Sequence, residues 1–302
     1  MSAPSPRPVG SCYGFQICSS LRFGFLREGP GDPLLVEEEQ PASPELPPLV
    51  AWEPRPDNPL HARLYPGSRE GTFHLWVEEG GWYRVDPAGG SIGVPAGGDP
   101  LMREVRLWGL PLLLCMLHRG DLSLHAASVQ VGDRAVLLAA PSRHGKTSLA
   151  AAFLAEGHRL LSEDLSCIRS GEAPAAVPGP TGLRIRPDMD SLLPLPGTRE
   201  VAVTEDRVHL ALEDPGTCLP VPLAGIVLVK DRADRVSLEP VPPMAGLKDL
   251  WFLSFHLPTP EGRERKLAGL ADLVDRVRVW DLFRPMRVDG LRPTVEAIVA
   301  VL

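Results

Sequence analysis

One segment constrains this chain more than any other. Residues 136–150 read VLLAAPSRHGKTSLA. An apolar run of strand character enters a loop, and the loop enters a run of helical composition. Against the phosphate-loop (Walker A) pattern G-x-x-x-x-G-K-[ST], the positions are Ala140, Pro141, Ser142, Arg143, His144, Gly145, Lys146 and Thr147, with Ser148 following. All fit except Ala140, which replaces the first glycine. The residue types carry the chemistry. Gly145 lets the backbone curl so that successive N–H groups converge on phosphate oxygens. A helix opening near Thr147 adds free amides and the positive end of its dipole. Lys146 supplies a mobile cation for the β- and γ-phosphates. The Thr147 hydroxyl suits Mg²⁺, a hard cation that takes oxygen ligands. Alanine at position 140 costs roughly 1 kcal/mol or more if its φ is positive, and little if it ends the strand. The second case is expected.

Sixteen residues separate Lys146 from the pair Glu163-Asp164. Between them lie an expected helix at 147–156, a closing Gly157 and a short strand at 158–161; another strand follows at 165–168. A strand beside the loop strand would carry both carboxylates to the phosphates. Adjacent side chains of an extended segment point to opposite faces, so the two acids have different work. One can hold Mg²⁺ directly or through water, and the other can take the proton of an attacking hydroxyl. His125 lies in LHAASV, within an expected strand at 122–131. A turn at Gly132-Asp133 and a strand at 134–139 make a hairpin that brings His125 beside the loop. From spacing alone, a strand histidine is more often a structural hydrogen-bonder. His144, inside the loop, can also face the phosphates.

The rest of the chain divides by character. Strand-like runs at 12–17, 63–65, 72–77 and 82–85 mark a small β-rich N-terminal module, with a hairpin turn at Gly80-Gly81. Residues 28–58, rich in proline and acid, read as an extended or mobile connection. A helix at 104–119, ended by Gly120-Asp121, opens a second part. Beyond Gly171 the chain is proline-rich up to Pro196. A strong strand at 223–229, helices at 244–256, 265–275 and 293–302, and a strand at 276–282 complete it. The expected division is residues 1–103 as the β-rich module and 104–302 as the phosphate-loop domain.

Composition excludes several partners. The formal net charge is -7 and no basic cluster stands out, which argues against nucleic acid. Five cysteines without C-x-x-C spacing read as reduced thiols. The longest apolar run, 107–117, is broken by Gly109 and Pro111 and is far shorter than the roughly 20 residues of a membrane span. The first residues have no apolar core, so no signal peptide is expected and the setting is read as cytoplasmic.

The runs LHAASV, APSRHGKTSLA and GHRLLSEDLSCI together resemble the catalytic domain of HPr kinase/phosphorylase and its stand-alone, serine-kinase-like relatives. The later segments PGPTGLRIRPDM, PLAGIVLVKD and PVPPMAGLKDL resemble stretches of the stand-alone relatives. So does the N-terminal region from CYGFQI onward. The likeness covers most of the chain, but only the neighbourhood of the loop carries specific motifs. It implies an α/β (α+β) phosphate-loop fold shared with phosphoenolpyruvate carboxykinase, with ATP and Mg²⁺ as cofactors. By the same likeness Lys146 and Thr147 bind phosphate and metal, Glu163 is the base, Asp164 is metal-linked and His125 is the family histidine. Arg184 or Arg186 in GLRIRPD would stabilise the transferring phosphoryl group or grip an acidic acceptor.

The sequence also departs from that pattern. Glu163 stands where HPr kinase has aspartate; relatives use either, so the base can instead be Asp164. Ala140 replaces glycine. The C-terminal signature of the phosphorylase reaction is not found, so reversal by inorganic phosphate is not expected. The N-terminal region is not that of HPr kinases, which argues against HPr as substrate. The resemblance points instead to a serine hydroxyl of a protein or a ribosomally made peptide, such as a lasso peptide precursor, and to a homo-oligomer. Two other readings stay open: a small-metabolite kinase, and a nucleotide-binding regulatory module without transfer activity.

Overall fold

Eight short strands open the chain: β1 (Arg7–Cys12), β2 (Phe15–Ser19), β3 (Asp32–Glu39), β4 (Val50–Trp52), β5 (Ala62–Pro66), β6 (Phe73–Val77), β7 (Gly81–Asp86) and β8 (Ser91–Pro95). The computed structural model describes residues 6–40, 44–54 and 61–302. The strands form one sheet in the order β1-β2-β3-β8-β7-β6-β5-β4. The single strand expected at 12–17 is instead the end of β1 at Cys12, a turn at Tyr13-Gly14 and the first three residues of β2. Tyr13 and Gly14 both have positive φ, 49° and 73°, the arrangement whose twist suits a two-residue hairpin. A tyrosine in that position hides the turn from sequence patterns.

The connection expected at 28–58 is also corrected, because it contains β3 and β4. In β3, Leu34 and Val36 alternate into the core, and the strand pairs parallel with both β2 and β8. Pro33 and the acidic run Glu37-Glu38-Glu39 had masked that alternation. Residues 41–43 and 55–58 of the stretch lie outside the described residues. The strands expected at 63–65, 72–77 and 82–85 are present as β5, β6 and β7, joined at Gly80-Gly81 as expected.

The helix expected at 104–119 is two helices, α1 (Pro100–Leu107) and α2 (Leu110–Arg119). The Asp99 carboxylate caps α1 by accepting from the Leu101 amide, 2.9 Å. The break falls at Trp108-Gly109, so that Pro111 enters α2 as a first-turn proline. Gly120, at φ 94°, closes α2. Leu107, Trp108, Leu112 and Met116 pack with the N-terminal sheet in one core, which also takes in Cys167, Val177 and Ala211.

The remaining elements are β9 (Leu122–Leu124), β10 (Ala126–Val131), β11 (Arg134–Ala139), α3 (Lys146–Ala155), β12 (Arg159–Ser162), β13 (Ser166–Arg169), β14 (Ala175–Val177), β15 (Gly182–Ile185), α4 (Pro187–Asp190), β16 (Thr198–Val203), β17 (Val208–Leu212), β18 (Val221–Arg232), β19 (Ser237–Pro240), α5 (Pro243–Leu253), α6 (Pro260–Arg276), β20 (Arg278–Arg284) and α7 (Leu291–Val299). The second sheet runs β12-β10-β11-β18-β14-β13-β9, with β20 beside β18 and β19 outside β20. Strands β11, β18 and β20 are parallel. A small third sheet has the order β15-β17-β16.

The strand expected at 122–131 breaks at His125. Its first half, β9, pairs with β13, and its second half, β10, pairs with β11 and β12. At the break the His125 amide donates to Leu253 O, 2.6 Å, and Leu124 bridges Ser254. One core lies under α3 and α7, and a third lies under α5 and α6. The chain is thus a mixed α/β protein with several sheets. Among the described residues no helix is long and apolar enough to cross a membrane.

Candidate active site

β11 ends at Ala139, paired with Ala126, so His125 stands across from Ala140 where the loop begins. Ala140 is fully buried in the core under α3. Among the described non-glycine residues, positive φ occurs at Tyr13, Glu79 and Arg143 and not at Ala140. The missing glycine therefore costs no backbone strain. Pro141 is exposed and Ser142 half-buried. Arg143, at φ 67°, and Gly145, at φ 77°, turn the chain into α3. His144 folds back on the loop, its Nδ1 3.0 Å from Ser142 O. No side chain caps α3, so the amides of its first turn, through Ser148, remain available to an anion.

The charged groups converge on the start of α3. Lys146 is buried and its Nζ donates to Asp164 Oδ1 at 2.5 Å. The same Nζ lies 3.3 Å from His125 Nε2, and His125 Nδ1 lies 3.6 Å from Asp164 Oδ1. Thr147 Oγ1 donates to Glu163 Oε1, 3.1 Å. Glu163 Oε2 accepts from Arg184 Nε at 2.9 Å, and Arg184 Nη2 stands 3.7 Å from Asp164 Oδ2. The two acids differ in exposure: the Glu163 side chain is 9% exposed and that of Asp164 is 47%.

Each titration shift has a visible cause. Burial would raise the Asp164 carboxyl, but Lys146, His125 and Arg184 outweigh it and hold it well below the usual carboxylate range. Glu163 raises the Arg184 guanidinium against the opposing effect of burial. Burial lowers His125; Lys146 adds to that, and Asp164 opposes it. A neutral His125 facing an ammonium must offer the Nε2 lone pair to Lys146, so Nδ1 carries the proton toward Asp164.

The acid pair sits on the turn between β12 and β13. β12 is not beside the loop strand, as the simplest reading had it, but one strand further out, across β10. A buried serine set holds the base of the turn. Ser162 and Ser128 hydroxyls are 2.7 Å apart, Ser162 and Ser166 hydroxyls 3.2 Å, and Ser166 Oγ donates to Ala126 O at 2.9 Å. Arg184 comes from β15, whose alternation sends it to the polar side while Leu183 and Ile185 enter the core. Arg186 is not brought into the cluster; it is exposed and pairs with Asp188 at 3.2 Å.

Arg284, at the end of β20, escaped the sequence reading. It is 2% exposed, and its Nη2 donates to Gly145 O at 3.3 Å. A Cβ at position 145 would lie 2.3 Å from that nitrogen, so Gly145 is needed both for its φ and for this approach. Nothing local to Arg284 announces a partner so far away in sequence.

The oxygen set can take a divalent cation of the magnesium kind. Thr147 and the acid pair supply a hydroxyl and carboxylates, and among the described residues no group of three or more His, Cys, Asp or Glu forms a closed metal cage. Mg²⁺ ordinarily uses one or two carboxylates and completes its shell with phosphates and water. The residues fit that use.

No family model matches this sequence, and no curated protein matches it. Among solved structures, the Hpr(Ser) kinase/phosphatase from Coxiella burnetii is similar to this chain at 12% identity, over 59% of this chain and 93% of that chain, with a TM-score of 0.31. At that distance the chemistry of the site is read from its own side chains.

Proposed function

We propose that the chain transfers the terminal phosphoryl group of ATP to a hydroxyl, with a serine of a protein or a ribosomally made peptide as the acceptor. The observation that carries this reading is the meeting of Lys146 and Thr147 with Glu163 and Asp164 at the open start of α3. An anion-binding loop alone would serve a nucleotide sensor. A loop whose lysine and threonine each touch a separate carboxylate has the parts for transfer.

In this reading the free amides of α3 and Lys146 hold the phosphates in line with the acceptor. Lys146 exchanges its contact with Asp164 for phosphate oxygens, which frees that carboxylate. Thr147 and Glu163 would hold Mg²⁺, which when bound would neutralise charge on the phosphates. Exposure favours Asp164 as the group that meets the acceptor. Both Glu163 oxygens are engaged, whereas among the described residues Asp164 Oδ2 has only the longer Arg184 contact. Asp164 orients the acceptor O–H and takes its proton late, as a loose transition state allows a weakly basic carboxylate to do. His125 keeps Asp164 and Lys146 in register, and Arg184 adds positive charge beside the transferring group. The choice of serine rests on the likeness of LHAASV, APSRHGKTSLA and GHRLLSEDLSCI to serine kinases.

The test is incubation with γ-labelled ATP and Mg²⁺ against serine-containing peptides, with Lys146→Ala as the control. Label on a peptide, lost in the control, is the expected result. Label appearing only on small hydroxylated metabolites would move the acceptor class. Nucleotide binding with no transfer to either would sink the kinase reading in favour of a sensor.

A further inference from the structure

The turn that carries Glu163 and Asp164 is held from both sides by residues that connect strands of the N-terminal sheet, Tyr13 in the β1–β2 turn and Arg27 between β2 and β3. On the leading side, Arg27 Nη2 donates to Leu160 O at 3.0 Å and to Leu161 O at 3.1 Å. On the trailing side, the Tyr13 hydroxyl donates to Leu165 O. Arg27 Nε also donates to Gly179 O at 3.0 Å, while the Gly179 amide donates to Leu161 O at 2.9 Å. The Tyr13 amide reaches Pro178 O at 2.8 Å. Both residues are 1% exposed.

Two features set these contacts apart from ordinary packing. Arg27 makes no ion pair among the described residues, and burial pushes its guanidinium down to about 10. A buried cation without a carboxylate is a poor source of stability. Its Nε and Nη2 go instead to three backbone carbonyls around the acid turn, while among the described residues its buried Nη1 has no partner. The PGPTG run, whose glycines the chemistry did not explain, is shaped to admit this clamp. A Cβ on Gly179 would lie 2.4 Å from the Tyr13 ring, and one on Gly182 would lie 3.1 Å from the Phe25 ring.

We propose that Tyr13 and Arg27 are positioning residues for the acid pair, fixing the Glu163-Asp164 turn at its two ends so that its carboxylates meet Lys146 and Thr147. The N-terminal sheet is then part of the catalytic framework. The activity arm of the test rests on the kinase reading; the structural arm does not.

Tyr13→Phe deletes one hydroxyl and leaves the ring in place. Hydrogen exchange is followed across residues 159–168, together with transfer kinetics. Val85→Ala, a truncation in the same core that does not touch the turn, serves as a control for lost stability. The expected result is faster exchange confined to 159–168, with kcat lower by about ten-fold and KM for ATP within about two-fold of the original. Val85→Ala should change neither at an equal fall in Tm. Unchanged exchange in Tyr13→Phe overturns the clamp, whatever the activity. So does unchanged kcat in an active enzyme, or a kcat loss in Val85→Ala that matches it. If the unmodified protein transfers no phosphate, exchange alone decides the clamp and only the kinase reading fails. If Tyr13→Phe does not fold, Arg27→Lys, which keeps the charge but loses the fork, is read by the same exchange experiment.

Discussion

Glu163 and Asp164 are neighbours in sequence with different surroundings, and their substitutions should separate. Asp164→Asn should keep nucleotide binding and lower transfer by roughly 10²–10⁴-fold, the usual worth of a positioned acid–base group. Lys146→Ala should lose binding as well, because it removes the cation from the loop. Equal transfer by Asp164→Asn and the unmodified protein would return the base role to Glu163. Arg184→Ala should lower transfer, while Arg186→Ala should not, since among the described residues Arg186 pairs with Asp188, outside the cluster. His125 gives a stability prediction with a definite sign. Burial lowers its pKa in the fold, so the unfolded chain takes the proton first as pH drops past about 6.5. That share of stability is present at neutral pH and is lost as pH falls, levelling off below the depressed folded value. Melting temperature measured from pH 7 to 5 should fall less steeply in His125→Asn; parallel profiles would contradict this. At this scale the sequence named the residues of the loop and the acid pair, because their chemistry is local. It could not name Arg284 or Arg27, whose partners are 139 and 133 residues away.

Elements were legible where periodicity and punctuation agree. β11 spans Arg134–Ala139 as expected, and α3 opens one residue before Thr147. The expectation failed where a tertiary contact interrupts a locally continuous pattern. Residues 122–131 alternate as one strand should, yet β9 and β10 part at His125 because the Leu253–Ser254 segment takes the hydrogen bonds there. α1 and α2 part because Gly109 leaves the helical region before Pro111. The loop offers a test of element against motif. Ala140→Gly would restore the consensus, but Ala140 has negative φ and lies fully buried. The substitution should leave nucleotide affinity unchanged and lower unfolding free energy by about 1 kcal/mol through added chain entropy. Gly145→Ala should do the reverse to function. Its positive φ costs roughly 1–2 kcal/mol for a Cβ, and the end of the Arg284 side chain must give way and loses its bond to Gly145 O. Nucleotide titration of the two variants checks both.

Across the whole molecule, the N-terminal sheet and the part of the chain that follows it share a core. α1 and α2 bury Leu107, Trp108 and Leu112 against the sheet, and Cys167, Val177 and Ala211 reach the same core from far downstream. A chain covering only 104–302 would expose that apolar side, and should bind a hydrophobic dye and lose the sharp unfolding of the full protein. The sequence showed two parts of different composition; it could not show a core made from both. The same interlocking sets an order of events during synthesis. The last strand of the N-terminal sheet ends at Pro95, but the core beneath that sheet is not complete until Ala211 has been made. At the usual pace of translation the gap is on the order of ten seconds. α1 and α2 follow at once and can cover most of the sheet's underside, so for that interval the exposed apolar surface is the part that Cys167, Val177 and Ala211 later close. A nascent chain halted there should be more open to a ribosome-bound chaperone than one that has passed Ala211.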